Sequence, residues 1–279
     1  MQDYSLDKMI KEELPGLKKN VPLAGYTTFK IGGPAKYFFT ARSGEDAARA
    51  IRTAGKYRLP FFILGGGSNL LLSDKGFSGL VIKLQATDYK LQTTCLYAEA
   101  GVSFATLVRE SGKRGLAGLE WAGGLPGTLG GAIRGNAGAF GGETKDSLLW
   151  VEALDKNLRL RKFTRAQCEF GYRTSVFKKR GWIILSAAVE LKKGDKAKIQ
   201  SVASDHIKSR KKRGPLEYPN AGSIFKNCEL KKAPLKARER FAEVIKTDPF
   251  PVIPAAAVIA AAGLIGLRVG QAQVSAKHP

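Results

Sequence analysis

The sequence predicts a fold of mixed helices and strands, divided among one large or two to three small domains. Three observations carry that expectation. The chain has 279 residues, 44% of them hydrophobic, enough for a real core and too apolar for global disorder. Strand-like apolar runs are interleaved with helical stretches along most of its length. Glycine clusters stand directly behind some of these runs and carry large apolar residues of their own, unlike a flexible linker.

The elements follow in order. Residues 1–20 read as a solvated leader helix with a lysine-rich end, interrupted at Pro15. Residues 26–34 read as a strand broken at Gly32-Gly33-Pro34, and 36–40 as a second short strand. Ser43 caps a helix that runs through Gly55, with Asp46 in its first turn against the positive dipole end. Residues 60–64 form the continuous apolar run of a buried strand. Strands are expected over 79–84 and 94–100, a helix over 104–112, and strands over 148–155, 158–164 and 182–192. Asp195 is a plausible N-cap for a strongly basic helix reaching Arg213. Residues 254–263 read as a buried, alanine-rich helix, and 270–279 as a strand or loop.

Composition narrows the function. The formal net charge is +22 and the isoelectric point is near 10.0, a balance that favours anionic ligands: nucleic acid, acidic lipid or phosphorylated small molecules. Cys95, Cys168 and Cys228 are odd in number, far apart and without a CxxC pair, which argues against a disulfide framework and a structural zinc site. With only His206 and His278 besides, no metal site is expected. Residues 1–20 lack the apolar core of a signal peptide. The longest apolar run, 255–267, falls short of the roughly 20 residues that span a bilayer. A soluble, cytoplasmic protein with no membrane partner is expected.

Four stretches carry candidate chemistry. Residues 123–143 are dominated by glycine but hold Leu125, Leu129, Ile133 and Phe140, so they read as a packed loop with a short helix, closed down on a ligand. Gly65, Gly66, Gly67, Ser68 and Asn69 end the 60–64 strand. The glycines expose N–H groups and Ser68 adds a hydroxyl donor, which suits a phosphate; a tight structural turn is the equal alternative, and neither the dinucleotide fingerprint nor a P-loop is present. Arg173, between aromatic residues, can clamp a carboxylate or stabilise a developing anion, or simply stack on Tyr172 at the surface. Ser223 follows Ala221-Gly222 and precedes a strand-like Ile224-Phe225; its hydroxyl can pass a proton if the site assists, or it is an ordinary turn serine. No histidine or aspartate is placed to make it a nucleophile. The basic end of 195–213 reads as a solvated helix terminus; without interleaved aromatics it is a poor nucleic-acid platform.

Together and in this order, five segments resemble one family. They are Tyr26-Thr-Thr-Phe-Lys-Ile-Gly-Gly, Leu64-Gly-Gly-Gly-Ser-Asn-Leu-Leu, Gly124-Leu-Pro-Gly-Thr-Leu-Gly-Gly-Ala through Asn136-Ala-Gly-Ala-Phe-Gly, Tyr172-Arg-Thr-Ser, and Ala221-Gly-Ser-Ile-Phe-Lys-Asn. They are similar to the UDP-N-acetylenolpyruvoylglucosamine reductases, flavin enzymes that make UDP-N-acetylmuramate for peptidoglycan. The short loop after Tyr172 resembles the shorter of that family's two types.

The resemblance implies an α+β fold. An FAD-binding domain of the p-cresol-methylhydroxylase type would occupy 21–85 and 86–193, after a leader helix over 1–20 and before a substrate-binding domain over 194–279. It implies that Gly65, Gly66, Gly67, Ser68 and Asn69 hold the FAD pyrophosphate. Gly123, Gly124, Pro126, Gly127, Thr128, Gly130, Gly131, Asn136 and Gly138 would lie along the flavin. It implies NADPH as the reductant and UDP-N-acetylglucosamine enolpyruvate as the substrate, whose enolpyruvyl double bond takes a hydride through the flavin. Ser223 matches the proton donor, and Arg173 the arginine that steadies the enolate-like intermediate. Tyr172, Lys226 and Asn227 match positions near the substrate. A monomer with no nucleic-acid partner is expected. The runner-up, another FAD oxidoreductase of the same fold acting on a hydroxy acid or alcohol, is opposed by the Tyr-Arg-x-Ser and Ala-Gly-Ser-x-Phe-Lys-Asn segments. The sequence departs from the family pattern at its end. A catalytic glutamate is expected beyond the Ser-x-Lys-His stretch, and the chain stops at Pro279. A truncated substrate domain, with reduced cover over 255–267 and impaired turnover, is therefore expected. Gln271 and Ala276 stand where the family has glycine and glutamate.

Overall fold

Helix α1 (Gln2–Glu13) opens the chain; its Ile10, and Leu14 just past its end with its N–H donating to the Ile10 carbonyl, are both completely buried, four residues apart on the same side. The solvated leader expected for residues 1–20 is thereby overturned: α1 belongs to the core. In this computed structural model residues 2–86, 88–248 and 250–279 are described, so Met1, the first residue of that expected helix, lies outside the described residues. The expected helix also stops early. Gly16 takes φ +87°, a turn that suits glycine, and Lys18 to Asn20 enter strand β1 (Lys18–Pro22). Glu13 fastens α1 to the next helix through hydrogen bonds from Thr53, Lys56 and Tyr57, and the Lys56 contact above all holds its carboxyl below the usual range.

The chain forms two compact units, Met1–Ile207 and Lys208–Pro279. In the first, β2 (Pro34–Ala41), β3 (Phe61–Leu64) and β4 (Phe77–Leu84) join β1 in the order β1-β2-β4-β3. β2 and β3 run parallel to β4, and β1 is antiparallel to β2. Helix α2 (Gly44–Lys56) makes the crossover from β2 to β3. Its N-cap is Ser43, whose hydroxyl accepts from the Asp46 N–H at 3.1 Å. The inner strand β4 is covered on both faces, which is why it reads as an apolar run. β3 lies at the edge, buries only Leu64 and leaves Phe61 37% exposed, so the buried strand expected over 60–64 forms as a half-buried edge strand. Leu80 and Ile82 join the main core, while Leu64, Phe38 and Val81 join a smaller cluster with Leu23 and Ala35.

The strand expected over 26–34 does not form. Leu23–Tyr26 is a 3-10 turn and the chain then loops. Thr27 donates its hydroxyl to the Ala24 and Ile31 carbonyls, at 3.4 and 3.1 Å. The Thr28 N–H donates to the Gly67 carbonyl at 3.1 Å. β-propensity loses here because the segment's hydrogen bonds close local turns or go to the loops at Gly67 and Ser73.

A second sheet is wholly antiparallel: β5 (Tyr89–Gln92) and β6 (Cys95–Glu99), then, after further elements, β10 (Leu148–Leu154), β11 (Leu160–Thr164) and β12 (Ile183–Glu190), in the order β11-β10-β12-β6-β5. Between β6 and β10 come α3 (Phe104–Lys113), β7 (Leu116–Ala117), α4 (Leu129–Gly135), β8 (Gly138–Ala139), β9 (Gly142–Glu143) and α5 (Thr144–Ser147). Helix α6 (Val176–Arg180) precedes β12, and β13 (Lys192–Lys193) pairs with β7 before α7 (Lys196–Arg213). Ala98, Val151 and Ala187 of this sheet share the main core with α2, α3 and α4. Asp195 does cap α7, accepting the Lys198 N–H at 2.9 Å.

The second unit has little regular structure: β14 (Cys228–Glu229) pairs with β15 (Val252–Ile253), β16 (Arg268–Val269) with β17 (Ala272–Gln273), and α8 (Leu235–Arg240) and α9 (Ala255–Ala261) are short. Two expectations fail here. Residues 254–263 are not a buried helix: α9 has no buried residue and Val258 is 42% exposed. Ile224 and Phe225 form no strand; they are 68% and 65% exposed and follow a bend at Gly222, φ +72°. Among the described residues no helix is long and apolar enough to cross a membrane.

Candidate active site

The turn after β3 is packed backbone on backbone. Gly67 has φ +66°, and a Cβ there would stand 2.0 Å from the Tyr26 carbonyl oxygen; no other residue fits. A Cβ on Gly66 would meet the Gly127 Cα at 2.7 Å, so the turn lies directly against the second glycine stretch. Among the described residues, none accepts a hydrogen bond from the N–H of Gly65, Gly66, Gly67, Ser68 or Asn69. The same holds for Gly124, Gly127 and Thr128. Orphan N–H groups in two abutting segments are donors arranged for an anion.

The second stretch is built onto the core. The Phe104 N–H donates to the Gly127 carbonyl at 3.1 Å, Leu129 to Val102 at 2.9 Å and Gly130 to Ala100 at 2.9 Å. Thr128 caps α4, its hydroxyl accepting from the Gly131 N–H at 3.4 Å. Gly123 is pressed against α7, within 2.4 Å of the Ala203 carbonyl for any added Cβ. Pro126 bears no N–H and separates the two donor groups.

Beyond α4 the loop closes on Arg173. Asn136 is fully buried in the left-handed conformation, φ 43°, at the end of α4. Its amide nitrogen donates to Glu143 Oε2 and the Gly171 carbonyl, both at 3.2 Å, and its oxygen accepts the Lys145 N–H at 3.2 Å. The Asn136 side chain is thus taken up by protein partners and pins the Gly171 loop to α4. Arg173 is half-buried, donates through Nη2 to the Gly138 carbonyl at 2.9 Å, and lies 5.1 Å from the Tyr172 ring centroid. Its own φ is +56°, a conformation disfavoured for a long side chain. Ser175 donates to the Arg134 carbonyl at 2.8 Å, and Arg134 Nη1 to the Phe177 carbonyl at 2.8 Å, so Arg134 ties α4 to α6.

The structure therefore brings Gly65 to Asn69 together with Gly127 and Thr128, and Gly138 together with Tyr172 and Arg173. Ser223, Lys226 and Asn227 share one segment of the second unit. Ser223 and Lys226 are exposed. The Asn227 side-chain oxygen accepts the Ala255 N–H at 3.1 Å and thereby holds the start of α9.

Sequence reasoning missed three contributors. Glu143 is 7% exposed, pairs with Lys145 at 2.7 Å and anchors Asn136. Trp121 fills the space over Gly142, where a Cβ would fall 2.3 Å from its ring. Lys83 donates to the Gly65 carbonyl; the readable signal was a lone charge inside the apolar run 80–84. Among the described residues no cluster of three or more His, Cys, Asp or Glu side chains could hold a metal ion.

Comparison with known proteins gives this arrangement its context. Residues 35–163 match the FAD binding domain family model, and residues 214–279 match that of the UDP-N-acetylenolpyruvoylglucosamine reductase C-terminal domain. The UDP-N-acetylenolpyruvoylglucosamine reductase of Alkaliphilus oremlandii is 38% identical over 276 residues, covering 98% of this chain and 83% of its own. That of Caldanaerobacter subterraneus subsp. tengcongensis is 37% identical, covering 100% and 85%. The crystal structure of the reductase from Thermus caldophilus superposes with a TM-score of 0.74 at 31% identity, over 94% of this chain and 86% of that one. A cholesterol oxidase from Brevibacterium sterolicum shares the fold alone, with a TM-score of 0.51 at 15% identity over 63% and 37% of the chains. An α+β architecture with an FAD-binding domain, two abutting donor turns and these relatives lead to one conclusion: the chain belongs to the UDP-N-acetylenolpyruvoylglucosamine reductase family, enzymes that depend on FAD.

Proposed function

We propose that this protein reduces the enolpyruvyl double bond of UDP-N-acetylglucosamine enolpyruvate to give UDP-N-acetylmuramate, with NADPH as reductant, in cytoplasmic peptidoglycan synthesis. The observation that carries this reading is Arg173, held against the Gly138 carbonyl in a costly backbone conformation at the end of the glycine stretch. FAD fits the residues present, because the orphan N–H groups of 65–69 and 127–128 suit a pyrophosphate and bulkier residues could not approach so closely. When bound, FAD carries a hydride from the nicotinamide to the substrate.

The chain's own residues do the rest. Gly65, Gly66, Gly67, Ser68 and Asn69 hold the pyrophosphate, and the backbone of 123–138 lines the flavin. Asn136 acts by positioning, since its amide fixes the loop that bears Arg173. The Arg173 guanidinium faces the negative charge that builds on the substrate's carboxylate side as the double bond is reduced, and lowers that barrier electrostatically. The Ser223 hydroxyl supplies the proton. Tyr172, Lys226 and Asn227 orient the substrate. We assign the cofactor to 21–85 and 86–193 and the substrate to 194–279, in a monomer. The test is NADPH oxidation by the FAD-loaded protein. It is expected to require UDP-N-acetylglucosamine enolpyruvate; oxidation that ignores this substrate and responds to a hydroxy acid or alcohol would refute the reading.

A further inference from the structure

Lys83 is out of character with its strand. Leu80, Val81, Ile82 and Leu84 of β4 are all buried, and Lys83 stands half-buried among them. Its register partner across the sheet is Leu64, so its side chain reaches one residue further along β3 and donates to the Gly65 carbonyl. Among the described residues no carboxylate pairs with it. Burial alone lowers its pKa, the mark of an ammonium without a counter-charge. Such a group costs free energy where it sits, and it sits behind a turn whose N–H groups have no acceptor.

We propose that Lys83 is a positioning residue for the cofactor: its ammonium draws the Gly65 carbonyl back into the fold, leaving the N–H groups of 65–69 to the pyrophosphate, and its charge complements that of the diphosphate. A carbonyl oxygen turned toward a phosphate would repel it, and a nearby cation strengthens every hydrogen bond made to the anion. The inference rests on the reading that this turn holds the FAD pyrophosphate.

The test separates the two. Protein stripped of flavin is titrated with FAD and with riboflavin, which lacks the diphosphate, reading flavin fluorescence and recording the melting temperature. Wild type is expected to bind FAD far more tightly. If it does not, the pyrophosphate reading fails, and the role of Lys83 with it. Given that preference, Lys83→Met is expected to weaken FAD binding by about ten- to hundredfold and to leave riboflavin binding unchanged. Lys83→Arg keeps the charge and is expected to bind FAD nearly as wild type does. Lys83→Gln serves the same comparison if the methionine variant does not fold. Unchanged FAD affinity in the neutral variant overturns the proposal. So does equal weakening of both flavins, which would mark a purely structural lysine, or a loss in Lys83→Arg as large as in Lys83→Met.

Discussion

Arg173 and Ser223 are assigned to one reaction but are held in opposite ways. Arg173 rides on a loop fastened by Asn136, whose amide is buried and satisfied by three protein partners, and its guanidinium already has an acceptor in Gly138. Ser223 stands exposed after a glycine bend, in a unit whose described residues bury little besides Ala221, Ala233, Val252, Ile253 and Pro254. The loop that bears Arg173 is thus organised by the core before any ligand arrives. Among the described residues none hydrogen-bonds the hydroxyl of Ser223, the proposed proton donor. A preorganised charge acts without reorganisation at the moment of reaction, whereas a serine hydroxyl, intrinsically a poor acid, needs the environment that substrate provides.

That contrast can be broken by mutation. Ser223→Ala should lower kcat by about 100- to 10,000-fold with flavin binding and melting temperature unchanged, because among the described residues none bonds the hydroxyl. A parallel drop in melting temperature would show the serine to be structural. Arg173→Lys should cost about 100- to 1,000-fold in kcat, since lysine keeps the charge but loses the forked geometry. Steady-state kinetics with intact flavin absorbance would check it.

Two asparagines sharpen the comparison on stability. Asn136→Ala strands the Glu143, Gly171 and Lys145 partners in a buried site and should destabilise by about 3 kcal/mol. Asn227→Ala removes one bond to the start of α9 and should cost about 1 kcal/mol. Denaturant melts that rank them the other way would contradict the contrast. The smallest effect is chemical. Cys168 is buried and its thiol pushed up to about 12 by desolvation, while Cys95 and Cys228 are exposed. A thiol-reactive dye at neutral pH should label Cys95 and Cys228 promptly and Cys168 only on unfolding.

Much of the fold was legible where one physical cue dominated. The apolar run ending in Gly65-Gly66-Gly67 announced a strand with a turn behind it, although that strand lies at the sheet edge and buries only Leu64, and Ser43 announced a helix start. Residues 26–34 misled because their aromatic and β-branched content suits a strand, whereas their hydrogen bonds close local turns or, from Thr28 and Gly33, go to Gly67 and Ser73, distant in the chain but adjacent in space. Ile224 and Phe225 misled because their apolar, β-branched and aromatic side chains suit a strand, and among the described residues no strand pairs with them. The burial of α1 was readable in the spacing of Ile10 and Leu14 and was masked by the lysines around them. Within the site, the residue types pointed to Arg173 and the glycines. The duties of Asn136, Glu143 and Lys83 could not be read, because each depends on a partner brought in by the tertiary fold.

The backbone of Arg173 has one more consequence. An arginine at φ +56° carries a conformational cost of about 1–2 kcal/mol, and its bond to Gly138 returns roughly 1 kcal/mol. Glycine at that position would relieve the first and forgo the second, leaving the folded state as stable or more so. Thermostability selection applied to this protein would therefore tend to erase the proposed anion-stabilising group without warning, and any engineering campaign here has to screen for turnover and heat resistance together.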